Sequence, residues 1–86
     1  MPEICRFYGI VIRMYFGDHA PPHIHVEYGS DQALIDIQTL AIFVGKLPPR
    51  AMGLVVEWAS LHQEELMGFW NQAVSMQPLG RIEPLR

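Results

Sequence analysis

The sequence predicts an α+β fold, in which a three- to four-stranded antiparallel meander packs on one long C-terminal helix in the order β-β-β-α. The first half of the chain is rich in β-branched and aromatic residues, and short runs within it alternate apolar and polar side chains. After Pro48-Pro49, apolar residues instead recur every three or four positions, which is typical of an amphipathic helix. The 86 residues, 50% of them hydrophobic and 17% charged, suit one packed domain spanning residues 1–86.

The first strand is predicted at about residues 6–16, because this run lacks proline and consists mainly of β-branched and aromatic residues. Gly17-Asp18 begins a turn after it. Pro21-Pro22 then holds the following chain extended, since each proline fixes its own φ and restricts the residue before it. The next strand is therefore expected to start at His23.

The second strand, residues 23–28, has the clearest alternation in the chain. Its apolar members share one face and are Ile24, Val26 and Tyr28. Its polar members share the other face and are His23, His25 and Glu27. Gly29-Ser30-Asp31 predicts a tight turn, so that residues 32–38 return antiparallel as a third strand. Residues 40–44 are a possible short fourth strand at the edge.

A single helix is predicted over about residues 49–77, since Pro48-Pro49 suits a helix start and Pro78 ends the pattern. Ser60 and Gln63 also have the spacing of a capping box, which would open a second helix, but no residue near them breaks the pattern. Residues 78–86 are expected to be irregular. The apolar stripe of the helix consists of Val55, Trp58, His62, Leu66, Phe69 and Ala73.

The predicted helix is longer than the domain that should carry it. It would span about 42 Å at 1.5 Å per residue, whereas a domain of this size has a diameter of roughly 30 Å. The overhanging end is too apolar to lie in water, so we expect it to be an interface in a homodimer or with a partner protein. The alternative is a bend near Gly68 that folds the end back onto the sheet. The interface residues would be Leu66, Met67, Phe69 and Trp70.

Three of the four histidines lie within ten residues, in the run Asp18 to Glu27. Histidine titrates near neutral pH and is the commonest metal ligand. If the helix covers the apolar face of the sheet, the opposite face presents His23, His25 and Glu27 together with Arg13, Tyr15 and Asp36. These six side chains form the predicted functional surface.

Three interpretations of this surface are open. His23 and His25 can bind a single divalent metal with Glu27, or His19 on the turn, as third ligand. Alternatively, His19, His23 and His25 act as catalytic acid and base without a metal, for example on RNA. In that case Arg13, Tyr15 and Asp36 would contact the substrate. The third interpretation is that the histidines are only polar residues on a solvated face.

Composition narrows the class of protein. The formal charge of −3 provides no overall positive field for nucleic acid. The single cysteine excludes an intrachain disulfide and a multi-cysteine zinc site, and it suits a reducing cytosol. We find no signal peptide and no apolar run of about 20 residues. The chain is therefore expected to be cytoplasmic and not to bind membranes.

Several segments of the chain resemble one small bacterial family, the domain of unknown function DUF4160. The most specific is the run His19-Ala20-Pro21-Pro22-His23-Ile24-His25, within the matching segment Asp18–Val26. Further matching segments are Arg6–Ile10, Met14-Tyr15, Ile35–Ile37, Gly45–Pro48, Glu57–His62, Pro78-Leu79 and Ile82–Leu85. The resemblance covers nearly the whole chain. It implies a bacterial cytosolic protein that is often encoded beside a second small protein, in an arrangement like a toxin–antitoxin or mobile-element gene pair. It implies no reaction.

Two functional hypotheses follow. The first is a protein that acts through a partner, either a second copy or a small co-encoded protein, in a toxin–antitoxin-like pair. The second is an enzyme, a histidine-based nuclease or a metal-dependent hydrolase that uses His19, His23 and His25.

Overall fold

The computed structural model describes residues 3–86 and arranges them as five antiparallel strands followed by two helices. The strands form one meander in chain order and are β1 (Glu3–Phe7), β2 (Ile10–Arg13), β3 (His23–Tyr28), β4 (Asp31–Asp36) and β5 (Ile42–Gly45). The helices are α1 (Pro49–Leu61) and α2 (Gln63–Val74). The predicted α+β class is confirmed, whereas the predicted numbers of strands and helices are wrong.

The single first strand at residues 6–16 is a correction. In its place, β1 and β2 pair as a hairpin around Tyr8 and Gly9, whose φ angles are 49° and 80°. Two consecutive positive φ values are what a two-residue hairpin turn requires. Tyrosine is uncommon at such a φ, so the composition of this run resembled one continuous strand. The possible fourth strand of the prediction exists as β5.

The single helix at residues 49–77 is a second correction. The helix is interrupted at His62, whose φ and ψ of −128° and 21° are not helical. Directly after it, the Gln63 side chain donates hydrogen bonds to the carbonyls of Ile37 (2.9 Å) and Gln38 (3.2 Å) beyond β4. This contact ties the start of α2 to the sheet. The apolar spacing continues through both helices, so periodicity did not signal the break.

The predicted overhang is therefore absent among the described residues. The longest dimension of the molecule is 33 Å, and α2 lies against its own sheet. Leu66 is completely buried and Trp70 is 6% exposed within the chain's own core, and Met67 and Phe69 pack against that core while partly exposed. The overhang thus gives no reason to assign these four residues to an interface. Homodimerisation and a protein partner stay predictions.

The C-terminal residues after α2 have no regular structure, but they cover the β1 edge of the sheet. Ile82 is buried, and its N–H donates to the Ile4 carbonyl at 2.8 Å. Trp58 of α1 is completely buried, and its indole N–H donates to the Glu83 carbonyl at 2.8 Å. The tail therefore joins the first strand to the first helix. Neither helix in residues 3–86 is long and apolar enough to span a membrane.

Lowering the pH should weaken the attachment of the tail to β1. Arg6 and Arg81 both bind the Glu3 carboxylate, at 2.7 Å and 3.1 Å, and these hydrogen bonds lower the pKa of Glu3 from 4.5 to about 2. A carboxylate whose pKa is lower in the folded state than in the unfolded state stabilises the protein at pH values above the unfolded-state pKa. This stabilisation is lost as the pH falls towards the folded-state pKa. We expect the melting temperature to fall between about pH 4.5 and pH 2. Glu3→Gln should make this decline shallower, and an unchanged decline would contradict the assignment.

Two helix glycines offer a test of helix propensity. Gly53 in α1 and Gly68 in α2 are exposed, and an added Cβ would meet no atom within 4 Å. Gly53→Ala and Gly68→Ala should each raise the free energy of unfolding by about 0.5–1 kcal/mol, measured by urea denaturation. Gly45→Ala is the contrasting control, because Gly45 has φ +78° and its Cβ would lie 2.1 Å from the Gln32 carbonyl oxygen. This variant should lose stability.

Candidate functional site

Asp18, His23 and His25 bring three potential metal-ligand atoms together. One carboxylate oxygen, Asp18 Oδ2, lies 3.0 Å from His23 Nε2 and 2.8 Å from His25 Nε2. All three atoms lie within 4.8 Å of one another. Among residues 3–86, no other group of three histidine, cysteine or acidic side chains converges in this way.

The two histidines lie on β3, the central strand of the sheet. β3 pairs with β4 from His23 to Tyr28 and with β2 over residues 25–28, so His25 is held on both sides and His23 on one. Residues two apart on a strand point to the same side, which brings His23 and His25 together with their ring centroids 5.1 Å apart. The predicted alternation of β3 is therefore what brings two of the three side chains of the site together.

Asp18 reaches the histidines from the loop between β2 and β3. Before it, the Gly17 N–H donates to the Ala73 carbonyl near the end of α2 at 3.2 Å. The second carboxylate oxygen, Asp18 Oδ1, accepts the His19 backbone N–H at 2.9 Å. The loop is thus attached to a helix, and the carboxylate is oriented so that Oδ2 faces the imidazoles.

His23 is the buried member of the cluster, with 4% of its surface exposed. Its Nδ1 lies 2.7 Å from the Pro21 carbonyl oxygen. A carbonyl oxygen only accepts, so Nδ1 carries a proton. Its ring lies between those of Trp70 and Phe43, at centroid distances of 5.2 Å and 5.4 Å. Nε2 either carries a second proton, which it donates to Asp18, or offers its lone pair to a metal ion.

His25 is the accessible member of the cluster and is half-buried. The Tyr15 ring stands perpendicular to the imidazole at a centroid distance of 4.3 Å, which fixes its orientation. A solvent-accessible groove of about 240 Å³ begins at these two rings and is lined further by Glu27, Gln32, Leu34 and Val44. A larger cavity of about 590 Å³, lined by Tyr8, Tyr28, Arg50 and Leu85 among others, shares no residue with the cluster.

Burial alone would raise the pKa of Asp18. The hydrogen bond from His25, the backbone N–H of His19 and the charges of His23 and His25 outweigh burial, and the net effect is a lowered pKa. Asp18 is therefore an anion at neutral pH. An anionic carboxylate between two imidazole nitrogens is an electrostatically favourable place for a cation.

The other predicted site residues have different positions. His19 is exposed and its ring lies outside the cluster. Glu27, the expected third metal ligand, forms an ion pair with Arg13 on the neighbouring strand. Asp36 accepts the backbone N–H groups of Gln38 and Thr39 and so stabilises the turn after β4. Of the predicted substrate-binding residues, Tyr15 packs its ring against His25, whereas Arg13 and Asp36 lie opposite His25 and His23 on the neighbouring strands.

The distances within the cluster suit a metal ion. Two ligand atoms about 2.1 Å from a metal and at a right angle to each other are about 3.0 Å apart. The separations of Asp18 Oδ2 from the two Nε2 atoms are close to this value, and they are also the lengths of the hydrogen bonds that join the three side chains. Two imidazoles and one carboxylate leave further coordination positions open for water and substrate. The Pro21 carbonyl provides the outer hydrogen bond that metal-bound histidines normally make through their second nitrogen.

The alternation of residues 23–28 predicts that the two histidines lie together, but it does not identify Asp18 as a third member of the site. The available signal was that Asp18 lies in the same ten-residue run, on a turn before the strand. Strand alternation instead favours Glu27 as the third metal ligand, because it places Glu27 on the same face as the histidines. Neither the Arg13 ion pair of Glu27 nor the path of the loop can be read from that alternation.

A model of one protein family, a domain of unknown function (DUF4160), matches residues 9–71 of the chain. This range includes Asp18, His23 and His25 and extends past Trp70 in α2. No curated protein and no solved structure matches the chain significantly.

Proposed function

This chain belongs to the family of the domain of unknown function DUF4160, and we propose that it is a metal-dependent hydrolase whose divalent ion binds Asp18, His23 and His25. The carrying observation is the convergence of Asp18 Oδ2 and two Nε2 atoms within 4.8 Å. The second nitrogen of His23 is already bound to a backbone carbonyl. Together these two observations support metal binding over the alternative that the histidines are only polar residues on a solvated face.

The three side chains have different tasks in this proposal. His23 is buried and its Nδ1 is bound to the Pro21 carbonyl, so its Nε2 would anchor the ion in place of the present hydrogen bond with Asp18, on the side of the site away from solvent. Asp18 offsets the positive charge of the ion. His25 borders the groove, so the open coordination positions face solvent and substrate. The ion would supply an activated water near neutral pH and polarise the bond to be cleaved.

The buried position of His23 disfavours the metal-free mechanism. A general acid or base must reach the proton that it transfers. His23 is buried and its Nδ1 is bound to the Pro21 carbonyl, and the exposed His19 lies outside the cluster. His25 is left as the one accessible imidazole of the three. A two-histidine acid–base mechanism would therefore require the loop to rearrange.

The ligand set also indicates which metals to test. Two imidazoles with one carboxylate suit zinc, iron(II) and manganese(II), whereas calcium and magnesium prefer oxygen ligands alone. Protein purified without an affinity tag should contain about one equivalent of such a metal, measured by inductively coupled plasma mass spectrometry. His25→Ala should lose it and His19→Ala, the matched control, should retain it. Wild-type protein that binds none of the three metals at micromolar concentration would refute the proposal.

Action through a protein partner is the second candidate function. Its support is the exposed apolar pair Phe43 and Val44 on the edge strand β5, which are 44% and 53% exposed. Edge strands with apolar side chains are favourable sites for pairing with another chain. A bacterial, cytoplasmic toxin–antitoxin-like pair, as the family resemblance implies, belongs to this candidate. Co-purification with the neighbouring gene product, lost in Val44→Lys, would test it.

A further inference from the structure

The groove beside the cluster lies on the face of the sheet that the helices leave open. Pairing across the strands places Arg13 opposite His25, His25 opposite Leu34, and Leu34 opposite Val44. Side chains paired in this way share one face. One continuous row therefore leads from the metal-ligand candidate His25 to the edge strand β5.

The groove is lined by apolar and polar groups to about the same extent. Its apolar side chains follow the row that begins at His25, and its polar side chains, Glu27 and Gln32, lie opposite each other in the next row. Tyr15 stands on one side of the imidazole, and Leu34 and Val44 continue the row away from it. The volume of about 240 Å³ is below the roughly 300–1,000 Å³ of sites for drug-sized ligands. It suits one apolar group of the size of an amino-acid side chain or a short acyl chain.

Charge near the groove argues against a phosphodiester substrate. Nucleic-acid binding depends on lysine and arginine side chains that neutralise phosphates. The one basic residue in the row is Arg13, and its guanidinium is already paired with Glu27. The whole chain carries a formal charge of −3.

We infer that the substrate is an ester or amide with an uncharged, apolar acyl group, which the groove lined by Tyr15, Leu34 and Val44 binds beside the ion. This inference rests on the proposed metal-dependent hydrolase. In the reaction, the water oxygen bonds to the carbonyl carbon and the bond from that carbon to the leaving oxygen or nitrogen breaks. The proton from water goes to the leaving group, and no other reactant is needed.

Small chromogenic probes test this inference with the metal-loaded protein. We expect kcat/KM for p-nitrophenyl butyrate to exceed that for p-nitrophenyl acetate by at least about 10-fold, because the longer chain fills more of the groove. The p-nitroanilide of butyric acid, which has the same uncharged acyl group, reports whether amides are also cleaved. Bis(p-nitrophenyl) phosphate and a quenched RNA oligonucleotide are the phosphodiester probes. Chelator-treated protein gives the metal-independent rate, which is subtracted throughout.

Filling the groove should remove the activity without removing the metal. Leu34→Trp should lower kcat/KM for p-nitrophenyl butyrate at least about 10-fold with unchanged metal stoichiometry. Val44→Trp is the second variant, because Val44 is exposed and its position can accommodate a larger side chain. Leu61→Trp, on the 69% exposed Leu61 at the end of α1, is the control and should retain full activity.

The outcomes separate the inference from the proposed function. Absence of bound metal in wild-type protein defeats the proposed function itself. Bound metal with cleavage of the phosphodiester probes alone overturns the acyl inference and leaves a metal-dependent hydrolase. Bound metal with no cleavage of any probe, or with no effect of either tryptophan variant, also overturns the inference.

Discussion

Replacing Asp18 with alanine should reduce the affinity for zinc or manganese at least about 100-fold, since even loss of an outer hydrogen-bond partner of a metal ligand costs 10–100-fold. Asp18 supplies the single anionic ligand of the cluster, and its Oδ2 faces both imidazoles. Without it, two neutral nitrogens remain and the charge of the ion is uncompensated. Isothermal titration of the metal-free protein measures the effect.

The matched control for this prediction is Asp36→Ala. Asp36 is partly buried like Asp18, but it lies at the end of β4 and accepts the N–H groups of Gln38 and Thr39. We expect its replacement to lower stability and to leave metal affinity unchanged. Equal losses of affinity in the two variants would indicate a general effect of surface charge and would remove Asp18 from the site.

Metal binding should also be visible in the stability of the protein. A ligand that binds only the folded state stabilises it by about 2.7 kcal/mol at 100 times its dissociation constant. The melting temperature of wild-type protein should therefore rise with added metal, and that of Asp18→Ala should not. Circular dichroism of Asp18→Ala without metal shows whether the variant is folded, so loss of binding can be distinguished from loss of structure.

Trp58→Ala should produce the largest loss of stability, about 3–5 kcal/mol. Trp58 is completely buried, packs on Phe7 with ring centroids 5.5 Å apart, and donates its indole N–H to the Glu83 carbonyl. The substitution would leave a cavity and an unpaired carbonyl at the point where helix, sheet and tail meet. Domains of this kind have only about 5–15 kcal/mol of total stability, so a large unfolded fraction is expected.

Urea denaturation at neutral pH measures this effect. Trp58→Phe keeps an aromatic ring but removes the hydrogen bond to Glu83, so it should lose less stability than alanine. Leu61→Ala in the same helix is the control, because Leu61 is 69% exposed and should change stability by less than about 0.5 kcal/mol. A loss below about 1 kcal/mol in Trp58→Ala would show that the tail and α1 are not coupled as described.

The parts of the fold that local patterns determine agree with the sequence. Residues 23–28 alternate and form β3, the turn at Gly29 connects β3 to β4, and Pro49 begins a helix. In each case the signal lies within a few consecutive residues, where strand periodicity or the fixed φ of proline acts directly. The same periodicity correctly placed His23 and His25 on one side of their strand.

The features that the sequence did not reveal are a tight hairpin and a break in the helix, and each is stabilised by contacts with another segment of the chain. The hairpin turn puts Tyr8 at a positive φ because Cys5 to Phe7 pair with residues 10–12. The helix breaks at His62 where Gln63 binds carbonyls 25 and 26 residues earlier in the chain. Both features oppose the strand composition and the helical periodicity of their segments. The local signals for them were weaker, namely Gly9, which adopts a positive φ easily, and the capping-box spacing of Ser60 and Gln63.

By itself, the sequence determined an α+β domain and a strand that presents two histidines on the same side. The tertiary structure decided which acid joins them. Glu27 shares the histidine face but is neutralised by Arg13 from the adjacent strand, whereas Asp18 is brought in by a loop attached to Ala73 of α2. Alternation along one strand specifies only the side of the sheet to which each side chain points. Which side chains from other strands and loops come close to it depends on the packing of the whole chain.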